Sequence, residues 1–276
     1  MRLKQQVQED ERGGMFMKEK GIRCLPWIVL SVFMLFMLPM VDYVCADVSV
    51  DHVKELMDEG WALEGKMHVD LANLDKAIAV HEEALSLAPG NEEAMWRLGE
   101  VIFKKSEETR DEKKRKAMLE RTVALSEQAL AVNPKSVGGL YWAGTAYARL
   151  ADMSHLFSAA KQIKQSKAYL HQAIHTDPNH RLSILSGVIL AKIYSESPWP
   201  LKDMDKASGL ALWSVGKDPN LTFASLTLGK INLETGQKDA ARKLLQRCLD
   251  TKHPTYIWDA VLYDWPEAKK VLAGIK

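Results

Sequence analysis

The sequence holds few side chains whose types and spacing could perform chemistry. The run HEEAL, which begins at His81, resembles the start of a zinc-binding helix, in which a second histidine stands four residues after the first. Leu85 occupies that place, so the second ligand is missing. His171 and His175 do have this spacing and could share a metal ion with His180 nearby, but no carboxylate completes a ligand set.

Signatures of other enzyme classes do not occur in the sequence either. There is no glycine-rich phosphate loop and no G-x-S-x-G turn. Paired acids such as Glu92 and Glu93 stand at the start of a predicted helix, where negative charge suits the helix dipole. We therefore expect a protein that is not an enzyme and that has no cofactor and no bound metal.

The composition favours a protein with a sizeable apolar core. The 276 residues are 47% hydrophobic, and 37 basic side chains stand against 36 acidic ones. This balance argues against nucleic acid as a partner, because such proteins carry a clustered basic excess. The three cysteines are too few for a disulfide-stapled scaffold or a multi-cysteine zinc fold.

The N-terminal part of the chain reads as a targeting segment. Residues 25–41, LPWIVLSVFMLFMLPMV, carry no charge, and basic residues up to Arg23 precede them. Small residues around Ala46 suit cleavage by a signal peptidase. We therefore predict a leader and signal peptide at residues 1–46, with an uncleaved membrane anchor as the alternative, and an extracytoplasmic, periplasmic α-helical repeat domain with a C-terminal capping helix at residues 47–276.

Repeated phrases divide this domain. Each phrase is an apolar helical pattern that ends at a polar residue and a proline, as in ALSLAPGN, ALAVNPKS and AIHTDPNH. Proline removes a backbone donor and disfavours helix at the residue before it, so each phrase predicts the end of a helix. The prolines are Pro89, Pro134, Pro178, Pro219 and Pro254, which are 45, 44, 41 and 35 residues apart.

A second helix is predicted after each of the first four prolines, and each contains a glycine at a similar place. Glycine costs about 1 kcal/mol inside a helix relative to alanine, so its recurrence indicates close helix packing. These glycines are Gly99, Gly144, Gly187 and Gly229. The pattern contains no alternating strand signal, so the prediction is an all-α chain of helix pairs.

The repeats resemble the tetratricopeptide family, in which a 34-residue helical hairpin carries Leu-Gly, an aromatic, small residues and a closing proline. The last unit fits best, with Leu228-Gly229, Ala241 and Leu245 before Pro254. This resemblance implies a helical-hairpin repeat solenoid. The middle units exceed 34 residues, so their helices or connections must be longer.

The last 100 residues or so resemble a narrower family, the T component that accompanies some bacterial TRAP transporters. The similarity lies in SESPWPLKDMDKA, in the complete repeat after it, and in the tail WDAVLYDWPEAKKVLAGI. The resemblance implies a periplasmic solute-binding protein as partner and assembly into a homotrimer. The sequence has no clear lipid-attachment cysteine and has Lys202-Asp203 where that family often has two glycines.

The first helix of each unit should face the inner side of the solenoid, which usually carries the binding function. Aligning the units by their glycines and prolines places aromatic and aliphatic residues on this side. The predicted binding residues are Trp96, Phe103, Tyr141, Leu185, Ile189, Phe223 and Leu226. The alternative is that they are ordinary core residues, because apolar stripes at helical spacing mostly are.

Three functional hypotheses follow from the sequence. The first is a scaffold that binds another protein, in its narrower form an accessory subunit of a TRAP-type transporter. The second is a carrier of an apolar ligand, with a pocket lined by Trp96, Tyr141 and Leu185. The third and weakest is a metal-dependent enzyme that uses His171 and His175.

Overall fold

A computed structural model describes residues 50–198 and 200–275, and in these residues every regular element is helical. The predicted signal segment therefore lies outside the described residues. None of the described helices is both long enough and apolar enough to cross a bilayer. The helices are α1 Val50–Glu64, α2 Ala72–Leu87, α3 Glu92–Glu107, α4 Glu112–Val132, α5 Val137–Asp152, α6 Leu156–Thr176, α7 Arg181–Glu196, α8 Met204–Lys217, α9 Thr222–Glu234 and α10 Lys238–Asp250.

Consecutive helices pack as hairpins, and each hairpin packs on the next. The first helix of each pair, in the order α1, α3, α5, α7 and α9, also packs on the first helix of the neighbouring pair along most of the array. This arrangement confirms the predicted all-α, tetratricopeptide-like repeat solenoid. A single helix pair cannot bury its apolar face, so the pairs must stack on one another to do so.

Local signals define both ends of the helices. Asn91, Asp111, Ser136 and Asp203 accept hydrogen bonds through their side chains from the backbone N–H three residues on, at distances of 2.9–3.0 Å. These N-caps satisfy donors that a helix start leaves unpaired. The repeated prolines stand just after the ends of α2, α4, α6 and α8, and Pro254 follows α10.

The additional residues of the middle units lengthen the second helix of each pair. Helices α4 and α6 have 21 residues each, whereas α2 has 16 and α8 has 14. The charged stretch KKSEETRDEKKRKAMLE thus forms the end of α3, a short connection and the start of α4. The prediction of lengthened middle repeats is confirmed.

The recurrent glycines lie where helices meet. A methyl group on Gly144 of α5 would come within 2.7 Å of the Leu170 side chain in α6. One on Gly187 of α7 would come within 2.5 Å of Ser214 Oγ in α8. Close approach is therefore the reason for glycine at these two positions.

The chain closes with a helical segment that crosses the inner side of the solenoid. It comprises α11 Ile257–Asp259, one turn of π-helix at Ala260–Asp264, and α12 Trp265–Gly274. Trp265 covers the last repeat, as expected for a cap, and its Nε1 donates to the Cys248 carbonyl at 2.9 Å. Trp258 instead reaches the first repeat, where it lies edge-on to Trp61 with ring centroids 5.5 Å apart.

Candidate functional site: the inner surface of the solenoid

A cavity of about 680 Å³ opens on the inner side of the solenoid. Helices α3, α5, α7 and α9 form one side, the start of α6 contributes Ala159 and Ile163, and the C-terminal segment forms the opposite side. Gly138 of α5 lies at the contact between two of these first helices, since a methyl group there would meet Trp96 of α3.

The floor of the cavity is apolar and aromatic. Six of the seven predicted binding residues line it, namely Phe103, Tyr141, Leu185, Ile189, Phe223 and Leu226. Four of them, Phe103, Tyr141, Leu185 and Leu226, are buried, while Ile189 and Phe223 are partly exposed. The same side chains therefore belong to the core and form the cavity floor.

Trp96 differs from the prediction because it packs between helices α3 and α5. Its ring lies over the backbone at Gly138, where an added methyl group would come within 2.3 Å of the ring. The Arg97 guanidinium covers the indole, with its Cζ 5.0 Å from the ring centroid. Trp96 thus fills the space that a glycine leaves in the next repeat and does not line the cavity.

Charged side chains of both signs surround the apolar floor. Arg149 pairs with Glu107 and lies 3.6 Å from Asp152, and Lys230 lies 3.3 Å from Glu267. Lys192 Nζ lies 5.6 Å above the Phe223 ring. Burial, with the nearby charges of Arg149 and Lys230, lowers the pKa of Lys192.

A buried ion cluster lies beside the cavity, toward the first repeat. Lys104 pairs with Glu64 and, at 3.3 Å, with Glu100, and both carboxylates are almost fully buried. Burial and the neighbouring Glu100 raise the pKa of Glu64 to about 8. Burial opposes the charged form of Lys104, but the carboxylates of Glu64 and Glu100 outweigh it and raise the pKa of that lysine. Such clusters are costly to break, because a remaining charge would be buried without a partner.

Arg181 links this cluster to the C-terminal segment. Its Nη1 donates to Tyr256 Oη at 3.1 Å, and its Cζ lies 4.7 Å from the centroid of the Trp61 ring. Lys104 Nζ lies 4.9 Å from the ring centroid of Trp258. Arg181, Lys104 and Trp61 of the repeats thus contact the rings of Tyr256 and Trp258 in the segment. Cation–π attraction between basic groups and aromatic rings favours this arrangement.

The C-terminal segment places two acids on the inner side. Asp264 accepts a 2.6 Å hydrogen bond from Thr222 Oγ1, and burial raises its pKa to about 7. Burial also raises the pKa of Asp259 to about 6, although Lys104 opposes this shift. Both carboxyl groups therefore exchange protons near neutral pH.

Two of the histidines considered as metal ligands, His171 and His180, contact other groups. His171 Nε2 lies 3.3 Å from Tyr194 Oη, and His180 Nδ1 accepts from the Leu182 N–H at the start of α7. His81 packs against Gly60 of α1. In residues 50–198 and 200–275, no three His, Cys, Asp or Glu side chains form a group that could hold a metal ion.

Sequence reasoning did not find the part of the site that involves the ion cluster and the tail. Glu64, Lys104 and Arg181 come from three different repeats, and Tyr256 and Asp259 come from the tail. The available signal was the stretch YIWDAVLYDW, in which four of ten residues are aromatic and two are acidic.

Comparison with known proteins supports the repeat architecture. Residues 63–187 match the family "Regulator of microtubule dynamics protein 1-3", and residues 223–255 match a tetratricopeptide repeat. The second match covers the unit that fitted the repeat pattern best. Each match spans less than half of the 276 residues, and no curated protein sequence matches the chain significantly.

Solved structures show the same fold. A thermophilic tetratricopeptide-repeat protein of Thermus thermophilus aligns with a TM-score of 0.60 at 17% identity, over 78% of this chain and 98% of that one. PilF of Pseudomonas aeruginosa aligns with a TM-score of 0.52 at 14% identity, over 79% of this chain and 90% of that one. The chain therefore has the tetratricopeptide-repeat fold.

Proposed function

We propose that this chain is a non-enzymatic scaffold that binds a segment of another protein on the inner surface of its solenoid. The observation that carries the proposal is the cavity of about 680 Å³ between the first helices of four repeats and the C-terminal segment. Repeat solenoids commonly use this inner surface for binding, and the fold favours a protein partner.

The chemistry of the cavity favours an amphipathic helix as the bound segment. Its floor offers Leu185, Ile189 and Phe223 to apolar side chains. Its edge offers Arg149, Lys230 and their acidic partners to polar side chains. Apolar grooves with polar edges are a recurrent mode of helix recognition.

In its narrower form, the proposal is that the protein works outside the cytoplasmic membrane as an accessory subunit of a TRAP-type solute transporter. The uncharged segment at residues 25–41 and the transporter-like tail support this form. The partner would then be a periplasmic solute-binding protein, and the assembly a homotrimer. Co-purification from the native host, with the mass of the complex measured in solution, tests the partner and the stoichiometry separately.

The binding surface is tested by charge introduction at a cavity residue. Ile189→Glu should weaken partner binding at least ten-fold, because the carboxylate would be placed on the apolar floor. Leu212→Glu is the matched control, since Leu212 of α8 is 63% exposed and does not line the cavity. Crosslinking in cells would identify the partner, and titration with the purified partner would measure affinity. Equal affinity of both variants would disprove the proposed surface.

The cavity also supports a second candidate function, the carriage of an apolar ligand. Its volume falls in the range of small-molecule sites, and Tyr141 and Leu185 of the predicted pocket line it. Mass spectrometry of solvent extracts from the purified protein would reveal such a ligand. A stoichiometric lipid that Ile189→Glu displaces would favour the carrier over the scaffold.

A further inference from the structure

The inner surface already holds one peptide, which is the C-terminal segment of the chain itself. Tyr256 and Trp258 lie in the same buried cluster as the inner residues of α3, α5 and α7. Tyr263 donates a hydrogen bond through its Oη to Glu108, just after α3. Part of the surface that a partner would use is thus occupied in cis.

The contacts of this segment define the chemistry that the surface accepts. The repeat residues that contact its first two aromatic rings include Lys104, Arg181 and Trp61. The segment contributes two aromatic rings, Tyr256 and Trp258, followed by an acid. Basic groups beside an indole suit a ligand that is both aromatic and acidic.

The C-terminal segment and the inner surface leave some of their buried polar atoms without hydrogen-bond partners. In the described part of the chain, Trp258 Nε1 and Glu100 Oε2 are buried and have no hydrogen-bond partner. Asp259 faces Lys104 but also the like charge of Glu100. Unpaired buried polar atoms and like charges weaken the binding of the segment to the inner surface. A competing ligand of moderate affinity can therefore displace it.

The connection before the segment has no helix that must unfold when Tyr256 and Trp258 leave the inner surface, and Thr255 ties it to the repeats by donating to Asp218 Oδ2 at 2.6 Å. Helix α10 ends at Asp250, and residues 251–256 contain no helix. Lys252 and His253 are exposed there. The π-helical turn at Ala260–Asp264 is a further irregularity, of a kind often found at functional sites.

We infer that the C-terminal segment is an intramolecular ligand of the inner surface, and that a partner segment with aromatic residues followed by an aspartate exchanges with it. The inference rests on the proposed function, because exchange requires a partner that uses this surface. Beyond the proposed function, it specifies a partner segment that is aromatic and acidic. It also specifies a closed state, in which the C-terminal segment of the chain covers part of the inner surface.

The test uses the full chain and a fluorescent peptide of residues 254–275. Trp258→Ala should bind the peptide at least ten-fold more tightly than the unaltered protein, whose own segment competes at high effective concentration. A peptide with the changes Trp258→Ala and Asp259→Asn is the control and should not bind. Equal binding by both proteins, or binding by neither, would overturn the inference.

A second variant covers the case in which Trp258→Ala does not fold, as judged by its helical circular dichroism. Tyr256→Phe retains the ring and removes only the hydrogen bond from Arg181. It should bind the peptide several-fold more tightly than the unaltered protein, and no gain would contradict exchange. A partner that binds the unaltered protein and is lost with Ile189→Glu, while the peptide never binds, would retain the proposed function and reject the inference.

Discussion

Trp258, near the end of the chain, packs edge-on against Trp61 in the first helix, with their ring planes at 87°. Almost 200 residues separate the two indoles in sequence. The contact joins the last part of the chain to the first repeat across the inner surface, where repeat proteins usually contact only their neighbours. We therefore expect the two ends of this solenoid to unfold together.

Trp258→Ala should destabilise the protein by about 3 kcal/mol, because it removes a large buried ring from the inner surface. Ile257→Ala is the matched control in the same helical turn, where the side chain is 36% exposed, and it should cost less than about 1 kcal/mol. Urea unfolding followed by circular dichroism measures both. Equal losses would show that Trp258 contributes no more than its exposed neighbour.

Lys104→Met should destabilise the protein by about 3 kcal/mol or more, because Glu64 and Glu100 would remain buried without their lysine. The loss should shrink in acid, because without Lys104 to stabilise their charged forms Glu64 and Glu100 bind protons more readily. Lys105→Met is the adjacent control, since Lys105 pairs with the exposed Asp75, and its loss should stay below about 1 kcal/mol. Unfolding at pH 5 and pH 8 distinguishes the two pairs, and a pH-independent loss for Lys104→Met would contradict the buried-charge explanation.

Equivalent glycines should respond differently to alanine. Gly144→Ala should destabilise by about 1 to 2 kcal/mol, because the methyl group would meet Leu170 and, at 3.2 Å, the backbone oxygen of Ser166. Gly99→Ala should be neutral or stabilising by up to about 1 kcal/mol, since its nearest neighbour would be 3.6 Å away. Thermal unfolding of both variants checks the order, and the reverse order would show that helix spacing is not what selects glycine at Gly144.

The buried His81 should make the fold sensitive to acid. Burial lowers its pKa from about 6.5 to about 4, so the folded state holds fewer protons than the unfolded chain between these values. Its contribution to stability is complete above pH 6.5 and falls by about 3 kcal/mol on going to pH 4. His81→Gln should lack this component, so the difference in unfolding free energy between the two proteins should shift in favour of the variant as pH falls. A constant difference would contradict the shift.

The repeat architecture was predictable because its signals are local. A proline such as Pro134 ends a helix by its own covalent structure, and a cap such as Ser136 acts within three residues. The inner position of Ile189 and Phe223 followed from helical spacing once the repeats were aligned. The position of the Trp96 side chain did not follow from helical spacing. Whether its ring lines the cavity or packs over Gly138 depends on a neighbouring helix.

The sequence by itself determined the helix pairs, their boundaries, the lengthened middle repeats and the side of each helix that turns inward. All of these depend on residues a few positions apart. Only the tertiary structure decided that the tail crosses the inner surface and that Lys104, Arg181 and Trp61 receive it. Those contacts join residues more than 70 positions apart, and their energy depends on burial and on the approach of like and unlike charges, which exist only once the solenoid has formed.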